Sequence, residues 1–265
     1  MPLVGFICPD KTKVKIDACV NCVHRCHSLA YLESAGHDRE WKGVPSTTQL
    51  IGGTRAQYLK ITQPYYIDPE GRAFAILGSW SHAKLDYLAK DAKFISELKL
   101  DGDITGTLDK LEPDPIDKGC WYLIDHKTWG SFSLVKKDGD NLETELQLNN
   151  YRCLVEHNDK IAEIVGSKIK ISKMLVEVII RDGNTKSAFM NKVNTCTKMV
   201  EVNRLDDKYV SEFFATKRTA LLTALNTNTL PPACDSRENW GWRKCKNYCE
   251  VFEYCPEGRK INKCI

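Results

Sequence analysis

The chain has 265 residues, of which 42% are hydrophobic and 28% are charged, and its formal net charge is +3. These values are ordinary for a globular protein and allow one large domain with small modules. No apolar run approaches the roughly 20 residues that a transmembrane helix needs, and Cys8 and Asp10 interrupt the stretch where a signal peptide would be apolar. We therefore expect a soluble, cytoplasmic protein without a membrane partner. The small positive charge permits a polyanionic partner but does not require one.

Twelve cysteines are distributed unevenly, with four near the start of the chain, five near its end and three between. Disulfides form in oxidising compartments and nothing in this sequence argues for export, so we expect the clusters to bind metal. They divide the chain into a Cys-rich zinc-binding head over residues 1–40, a central domain over 41–230, and a Cys-rich tail over 231–265 that begins with two prolines.

The head contains a metal knuckle, Cys19-x-x-Cys22, in which two thiolates on a tight turn can share one tetrahedral ion. Cys8 and Cys26 complete a set of four zinc ligands. His24 and His27 are available as substitute ligands. The nearby basic residues would suit contacts with DNA phosphates: Lys11, Lys13, Lys15 and Arg25. A zinc ion with a purely structural role is at least as good an interpretation of this head.

The central domain mixes helical and strand periodicities, which predicts an α/β fold. Ser46 is a candidate N-cap for a helix that two glycines weaken in its middle, and Asp206 is a candidate N-cap for the last helix. Asp101-Gly102 is typical of a hairpin turn. In chain order we predict helices over 46–60 and 78–93, a hairpin over 96–112, a buried strand over 119–128, a helix over 141–157, strands over 173–181 and 193–203, and a helix over 206–225.

The chemistry is concentrated in two short segments, TLDKL at 107–111 and LIDHKT at 123–128. Residues two apart on a strand share a face, so Asp125 and Lys127 point the same way, and strand pairing can bring Asp109 beside them. Two neighbouring carboxylates repel each other unless a divalent cation lies between them. Such a cation lowers the pKa of a bound water and polarises a phosphate. Lys127 can then orient that water or stabilise charge in the transition state.

An Asp-x-Lys pair on a strand usually belongs to a solvated face. Here the charges interrupt an otherwise apolar strand, which is costly unless a ligand compensates for the burial. Gln147 and Tyr151 follow on the next predicted helix, four residues apart and therefore on one face, although simple packing of Tyr151 is an alternative. Glu97 opens the hairpin and is a weaker candidate for supporting the site.

Four motifs, in this order, resemble the RecB-like branch of the PD-(D/E)xK nucleases: Gly78…His82, Gly106-Thr107-Leu108-Asp109, Asp125-His126-Lys127 and Gln147…Tyr151. That branch includes the CRISPR-associated RecB-like exonucleases and the nuclease domains of bacterial recombination helicases. The resemblance covers residues 45–155 by motif and continues to residue 230 by element order. It implies a restriction-endonuclease-like core, in which helices flank a mixed central sheet, with Cys-rich metal-binding modules at both ends.

The resemblance also implies a role for each matching residue. A lone helical histidine is usually a surface or core residue, but in this context His82 looks like a metal ligand. The implied ligands of Mg²⁺ or Mn²⁺ are His82, Asp109, Asp125 and the main-chain carbonyl of His126. The implied catalytic residues are Asp109, Asp125 and Lys127. Gln147 and Tyr151 look like residues that organise the site and touch DNA.

The tail is similar to the same family, several members of which bind a [4Fe–4S] cluster through cysteines. The common arrangement takes one cysteine from before the nuclease core and three from after it, whereas the matching stretch at 54–58 has none here. Either Cys26 fills that role or all four ligands lie in the tail, and we favour the tail: Cys234, Cys245, Cys249 and Cys255. Because the tail has no Cys-x-x-Cys knuckle, zinc is the weaker alternative.

Together these motifs predict a metal-dependent deoxyribonuclease, more specifically an exonuclease acting on DNA ends or single strands. Two alternatives stay open: a non-catalytic zinc-containing nucleic-acid-binding protein, and a site-specific endonuclease. A relative without activity commonly loses one of Asp109, Asp125 and Lys127, and all three are present here. Because there is no helicase motif, unwinding would come from a helicase or from a recombination or CRISPR partner protein.

Overall fold

A computed structural model of the chain describes residues 3–88, 94–135 and 141–262. Contacts between Cα atoms divide the chain into two compact units. The first comprises Met1–Pro45, Gly52–Ile76 and Ala215–Ile265, and the second comprises Ser46–Ile51 and Leu77–Phe214. The predicted head and tail therefore belong to one unit, which also takes residues 52–76. Within the described residues, no helix has both the length and the apolar character needed to cross a bilayer.

The regular elements are numbered in chain order. The strands β1 to β8 are Leu3–Ile7, Lys13–Lys15, Tyr65–Ile67, Ile95–Leu100, Gly106–Pro113, Cys120–Trp129, Lys170–Ile180 and Thr197–Val202. The helices α1 to α11 are Ile16–Val20, Leu29–Gly36, Thr47–Ile51, Thr54–Thr62, Ala73–Leu88, Leu142–Glu156, Asp159–Val165, Lys186–Met190, Asp207–Thr227, Arg243–Asn247 and Pro256–Asn262.

The predicted elements differ from the observed ones mainly at their ends. The helix predicted over 46–60 is interrupted at its two glycines, so that α3 and α4 replace it. The helix predicted over 78–93 starts earlier, at Ala73, and its last predicted residues, 89–93, lie outside the described residues. Asp206 caps α9 as expected, because its carboxylate accepts a hydrogen bond from the Tyr209 N–H at 2.9 Å.

The first unit contains a small sheet with the strand order β2-β1-β3. In it β1 pairs antiparallel with β2 and parallel with β3. Gly5 is required in β1, because a Cβ at that position would overlap the Val14 carbonyl and the Tyr66 ring. Phe6 and Leu32 are among the buried apolar side chains of this unit.

The second unit is built on a five-stranded sheet with the order β4-β5-β6-β7-β8. Neighbouring strands are antiparallel except for β6 and β7, which run parallel. A parallel pair needs a long crossover connection, and here the crossover contains α6 and α7. Helix α6 contributes Leu148, Tyr151 and Val155 to the hydrophobic core. The mixed sheet flanked by helices that the sequence predicted is confirmed.

The strand β6 lies in the middle of this sheet and is buried on both faces. Its consecutive residues Leu123 and Ile124 are 0% and 4% exposed, as expected for a strand that pairs in parallel and is covered from both sides. Asp125 and His126 follow them directly and are also buried. The polar residues of the candidate site are therefore carried by a central, buried strand of the unit.

Candidate active site and cysteine clusters

Strand pairing brings the two predicted aspartates together. At one end of the ladder between β5 and β6, Lys110 pairs with Ile124, and Asp109 and Asp125 are the next residues on the two strands. Asp109 Oδ2 accepts a hydrogen bond from the main-chain N–H of His126 at 2.7 Å. This bond fixes the Asp109 carboxylate against β6, beside Asp125, as the sequence predicted.

His82 reaches the same place from α5. Its Nε2 lies 2.7 Å from the main-chain oxygen of His126, and its Nδ1 lies 3.6 Å from Asp109 Oδ2. One turn earlier on α5, a Cβ on Gly78 would be in ordinary contact with Thr128 of β6, which shows how closely the helix passes the strand. The imidazole therefore lies against a carbonyl and a carboxylate that the sequence implied as metal ligands.

Asp125, Lys127 and Gln147 form a polar cluster. The ammonium of Lys127 lies 2.8 Å from Asp125 Oδ2 and donates a hydrogen bond to Oδ1 at 3.1 Å. Gln147, from α6, donates through Nε2 to Asp125 Oδ1 at 3.2 Å and accepts from Lys127 at 3.4 Å. The amide thus holds both charged groups in a fixed geometry.

The Asp125 carboxyl is almost completely buried, at 3% exposed. Burial raises its pKa, the Lys127 ammonium opposes this rise, and the Asp109 carboxylate adds to it. Although Lys127 is an ion-pair partner of Oδ2, no described residue donates a hydrogen bond of regular geometry to that atom. Carboxylate oxygens are the ligands that hard divalent cations prefer, and a cation would further offset the burial of this charge.

The donors around Asp109 suit a hard divalent cation. Carboxylate and carbonyl oxygens are preferred by Mg²⁺ and Mn²⁺, and an imidazole nitrogen is compatible with a transition metal such as Mn²⁺. The imidazole of His126 is engaged elsewhere, with Nδ1 3.0 Å from Glu177 Oε2, and burial lowers its pKa. It is therefore the main-chain carbonyl of His126 that faces His82.

Tyr151 has a different position from Gln147, although both lie on α6. Its side chain is 4% exposed and belongs to the hydrophobic core. A Cβ at position 106 would overlap its ring, so Gly106 leaves room for Tyr151 where β5 begins. The structure thus shows Tyr151 packing under the strand that carries Asp109, and its contact with DNA stays a prediction.

Glu97, the weaker sequence candidate, lies at the site. One ligand atom from each of His82, Glu97 and Asp109 lies within 4.8 Å of the other two, and this is the one such group of three or more His, Cys, Asp or Glu among the described residues. Sequence reasoning underrated this residue because a tight turn at Asp101-Gly102 would set position 97 opposite Gly106, whereas in the observed hairpin Ser96 pairs with Lys110 and Leu98 pairs with Leu108.

The head brings its four cysteines near one another. Cys19 is buried in α1, whereas Cys22 and Cys26 are exposed in the loop that follows. Burial raises the pKa of the Cys19 thiol, and the nearby thiols of Cys26, Cys8 and Cys22 raise it further, while Arg25 lowers it. These influences on Cys19 indicate that Cys8, Cys22 and Cys26 lie near it.

The tail cysteines line one small cavity of about 20 Å³ in the first unit: Cys234, Cys245, Cys249 and Cys255. Arg55, itself 8% exposed, donates a hydrogen bond to Cys255 Sγ at 3.7 Å. Trp242 forms part of the cavity wall. Burial raises the pKa of Cys234 to about 11.

Cys234 lies close to the stretch at 54–58, where the expected cysteine is missing. A Cβ on Gly53 would overlap Cys234 Sγ, so α4 begins beside this sulfur. A tetrahedral zinc with Zn–S bonds of about 2.3 Å holds its sulfurs only about 3.8 Å apart. Within the described part of the chain, no three thiols come as close together as the 4.8 Å that defines the group at His82.

Three comparisons with known proteins bear on these sites. The model of the PD-(D/E)XK nuclease superfamily matches residues 30–256, which is well over half of the chain. Among solved structures, the crystal structure of SSO0001 is similar, with 19% sequence identity over 86% of this chain and 92% of that chain and a TM-score of 0.46. No curated protein matches the chain in sequence.

Proposed function

Because this chain belongs to the PD-(D/E)XK nuclease superfamily, we propose that it is a Mg²⁺- or Mn²⁺-dependent deoxyribonuclease that works as an exonuclease on DNA ends or single strands. The observation that carries this proposal is the arrangement around β6, where Asp109 and His82 lie on one side of the strand end and the Asp125–Lys127 ion pair lies beside them. The residues to which this proposal gives a role in phosphodiester hydrolysis all lie in the second unit.

The cation would be held by His82, Asp109, Asp125 and the main-chain carbonyl of His126. A divalent cation bound there lowers the pKa of a coordinated water and polarises the scissile phosphate. The hydrogen bond from the His126 N–H keeps Asp109 in position for ligation, so the backbone of β6 contributes both a ligand and the support for another.

Lys127 is the catalytic lysine in this proposal. Its ammonium can orient the attacking water or stabilise the charge that develops on the phosphate. Gln147 would act as a positioning residue, because it contacts both Lys127 and Asp125. Tyr151 would organise the site from below, by packing against Gly106 where the catalytic strand β5 begins. Contact of Gln147 and Tyr151 with DNA is part of the proposal.

The tail would bind a [4Fe–4S] cluster through Cys234, Cys245, Cys249 and Cys255. The support for a shared metal group is that the four thiols border one cavity, and the lack of a Cys-x-x-Cys knuckle favours a cluster over a single zinc ion. Arg55 offers a positive group to Cys255, which suits a thiolate bound to iron. A cluster there would hold the short tail elements together.

The head would bind zinc through Cys8, Cys19, Cys22 and Cys26. The support is the electrostatic influence of three of these thiols on the fourth, which a bound cation would reverse because it stabilises thiolates. Since these thiols too are spaced more widely than in a loaded zinc site, binding would draw the loop at 22–26 inward.

The order of the motifs supports the RecB-like branch as the finer assignment. On that assignment a helicase, or a recombination or CRISPR partner, would supply the unwound DNA. Neither the branch nor a partner is needed for the chemistry itself.

The test is digestion of end-labelled linear DNA, closed circular duplex and circular single strands with Mg²⁺, Mn²⁺ or EDTA, with an Asp125→Asn preparation as the control for contaminating nucleases. We expect release of label from linear DNA with either metal, no release with EDTA, and resistant circles. Rapid cutting of closed circles would favour an endonuclease, and salt-sensitive DNA binding without cleavage would favour the non-catalytic alternative.

A further inference from the structure

We infer that Glu97 is a direct ligand of the catalytic cation, next to His82 and Asp109. This inference rests on the proposed function, to which it adds one protein ligand. The three side chains each place one ligand atom within 4.8 Å of the other two. Such spacing lets a single cation touch all three, since carboxylate oxygens and imidazole nitrogens bind divalent cations at about 2.0–2.6 Å.

The hairpin register explains why Glu97 reaches the site. Ser96 pairs with Lys110 and Leu98 pairs with Leu108, so position 97 lies directly opposite Asp109. Although the positive φ of Glu97 departs from regular strand geometry, its carboxylate lies within 4.8 Å of a ligand atom of Asp109. Because Asp109 in turn lies beside Asp125, positions 97, 109 and 125 form one row across β4, β5 and β6.

Like charges placed opposite each other destabilise a sheet. In this row Lys127 compensates the charge of Asp125, and the imidazole of His82 lies beside Glu97 and Asp109. A dication between Glu97 and Asp109 removes their repulsion, and the number of charged ligands sets how tightly such a cation is held. The third carboxylate should therefore strengthen cation binding before any DNA is present.

The backbone conformation of Glu97 also supports this inference. Its φ is +48° in the middle of β4, a left-handed conformation that L-residues other than asparagine and aspartate rarely adopt. Strained backbone of this kind concentrates at functional sites. Glycine would relax the strain, and the chain instead has a residue that brings a carboxylate to the cation.

The experiment measures Mn²⁺ binding to the full-length protein without DNA, by the electron paramagnetic resonance signal of free Mn²⁺. We expect Glu97→Gln to weaken binding at least about 10-fold, the loss usual for residues that support a metal site. Glu97→Asp should weaken it too, because the shorter side chain keeps the charge but cannot reach. Glu163→Gln, an exposed site on α7, removes the same charge and should bind like the wild type.

Glu97→Gly separates ligation from folding, because glycine accepts the positive φ. We expect its thermal stability to be kept or raised while Mn²⁺ binding weakens. Wild-type affinity of Glu97→Gln would overturn the inference, and so would wild-type affinity of Glu97→Asp, since charge at a distance would then suffice. Asp109→Asn distinguishes failure of this inference from failure of the proposed metal site. If this variant also binds Mn²⁺ with wild-type affinity, the proposed metal site itself is wrong.

Discussion

The acidic site in the second unit and the cysteine cavity in the first unit are built in opposite ways. At the acidic site most charges have protein partners: Lys127 and Gln147 hold Asp125, and the His126 N–H holds Asp109. The buried side chains Leu108, Leu123 and Ile124 support it from within the sheet. In the tail cavity, burial raises the pKa of Cys234 to about 11, so its thiol is protonated unless iron or another cation binds.

The two sites differ in what a bound cofactor would contribute. The polypeptide builds the acidic site by itself, and a cation completes it. The tail consists of short helices, with α10 spanning five residues and α11 spanning seven, and such helices are marginal without tertiary support. If the proposed cofactor binds there, its binding energy becomes folding energy. Removing a ligand should therefore cost activity at the acidic site and stability in the tail.

The largest effect should come from the acidic site. Asp109→Asn, Asp125→Asn and Lys127→Ala should each lower the rate of DNA cleavage by a factor of about 10³ or more, which corresponds to about 4 kcal/mol of lost transition-state stabilisation. Initial rates on end-labelled linear DNA measure the loss. Glu163→Gln is the matched control and should cut at the wild-type rate.

The two asparagine variants should also unfold within a few degrees of the wild-type temperature, because an amide is nearly isosteric with a carboxyl and burial already disfavours the charge on Asp125. Wild-type cleavage by any of the three variants would show that the assigned active site is wrong. A collapse of thermal stability would instead show that this site, like the tail, depends on its ligand.

In the tail, Cys249→Ser should remove the cofactor and lower the unfolding temperature by about 10 °C, since a loss of several kcal/mol shifts a domain of this size by that order. Anaerobically purified wild-type protein should be brown, absorb near about 400 nm and contain about four iron atoms. Cys196→Ser, at an exposed thiol of the second unit, is the control. Two zinc atoms and no iron in wild-type protein would refute the cluster and leave the nuclease assignment untouched.

The stability of the second unit should depend on protein contacts alone, and Arg152 tests this. Its side chain is 1% exposed and forms ion pairs with Glu156, at 2.8 Å, and with Asp207. Arg152→Met should reduce the free energy of unfolding by about 3 kcal/mol, because it leaves a partly buried Glu156 without its main partner. Arg204→Met, at a half-exposed arginine near the same carboxylates, should cost less than about 1 kcal/mol.

Denaturant unfolding measures both arginine variants, and chelators should not alter the difference between them. If Arg152→Met proved as stable as Arg204→Met, the buried ion pairs would contribute nothing that the packing of α6 does not already supply.

The smallest effect concerns Asp114. The hydroxyl of Ser172 and the N–H groups of Asp117 and Ile116 donate to its carboxylate and lower its pKa to about 2. A depressed folded-state pKa adds stability above the unfolded value of 3.8, and this contribution is lost as the pH falls towards 2. Ser172→Ala should raise the Asp114 pKa towards 3.8, as measured by carboxyl NMR titration. The free energy of unfolding should then differ less between neutral pH and pH 2 than it does in the wild type. An unchanged pKa would contradict the assigned hydrogen bond.

Local patterns predicted much of the second unit. Asp125 and Lys127 are two residues apart on a strand, so period-two geometry was enough to put them on one face. The expected pairing of the Asp109 strand with this strand put Asp109 beside them. The first unit was harder to predict, because β1 and β3 pair in parallel across some sixty intervening residues, and local periodicity does not show which distant strands pair. Glu97 was underrated because a positive φ cannot be derived from a glutamate.

The parallel pairing of β6 with β7 has a consequence for how the protein is made. Parallel neighbours cannot be joined by a tight turn, so residues 130–169 must leave the ribosome before β7 can dock on β6. Until then one edge of β6 exposes its main-chain N–H and C=O groups, and these groups can pair with a wrong strand. Long-range pairing of this kind is slow. Asp125 and Lys127 therefore acquire their final geometry only late in synthesis, when residue 180 and the end of β7 have emerged.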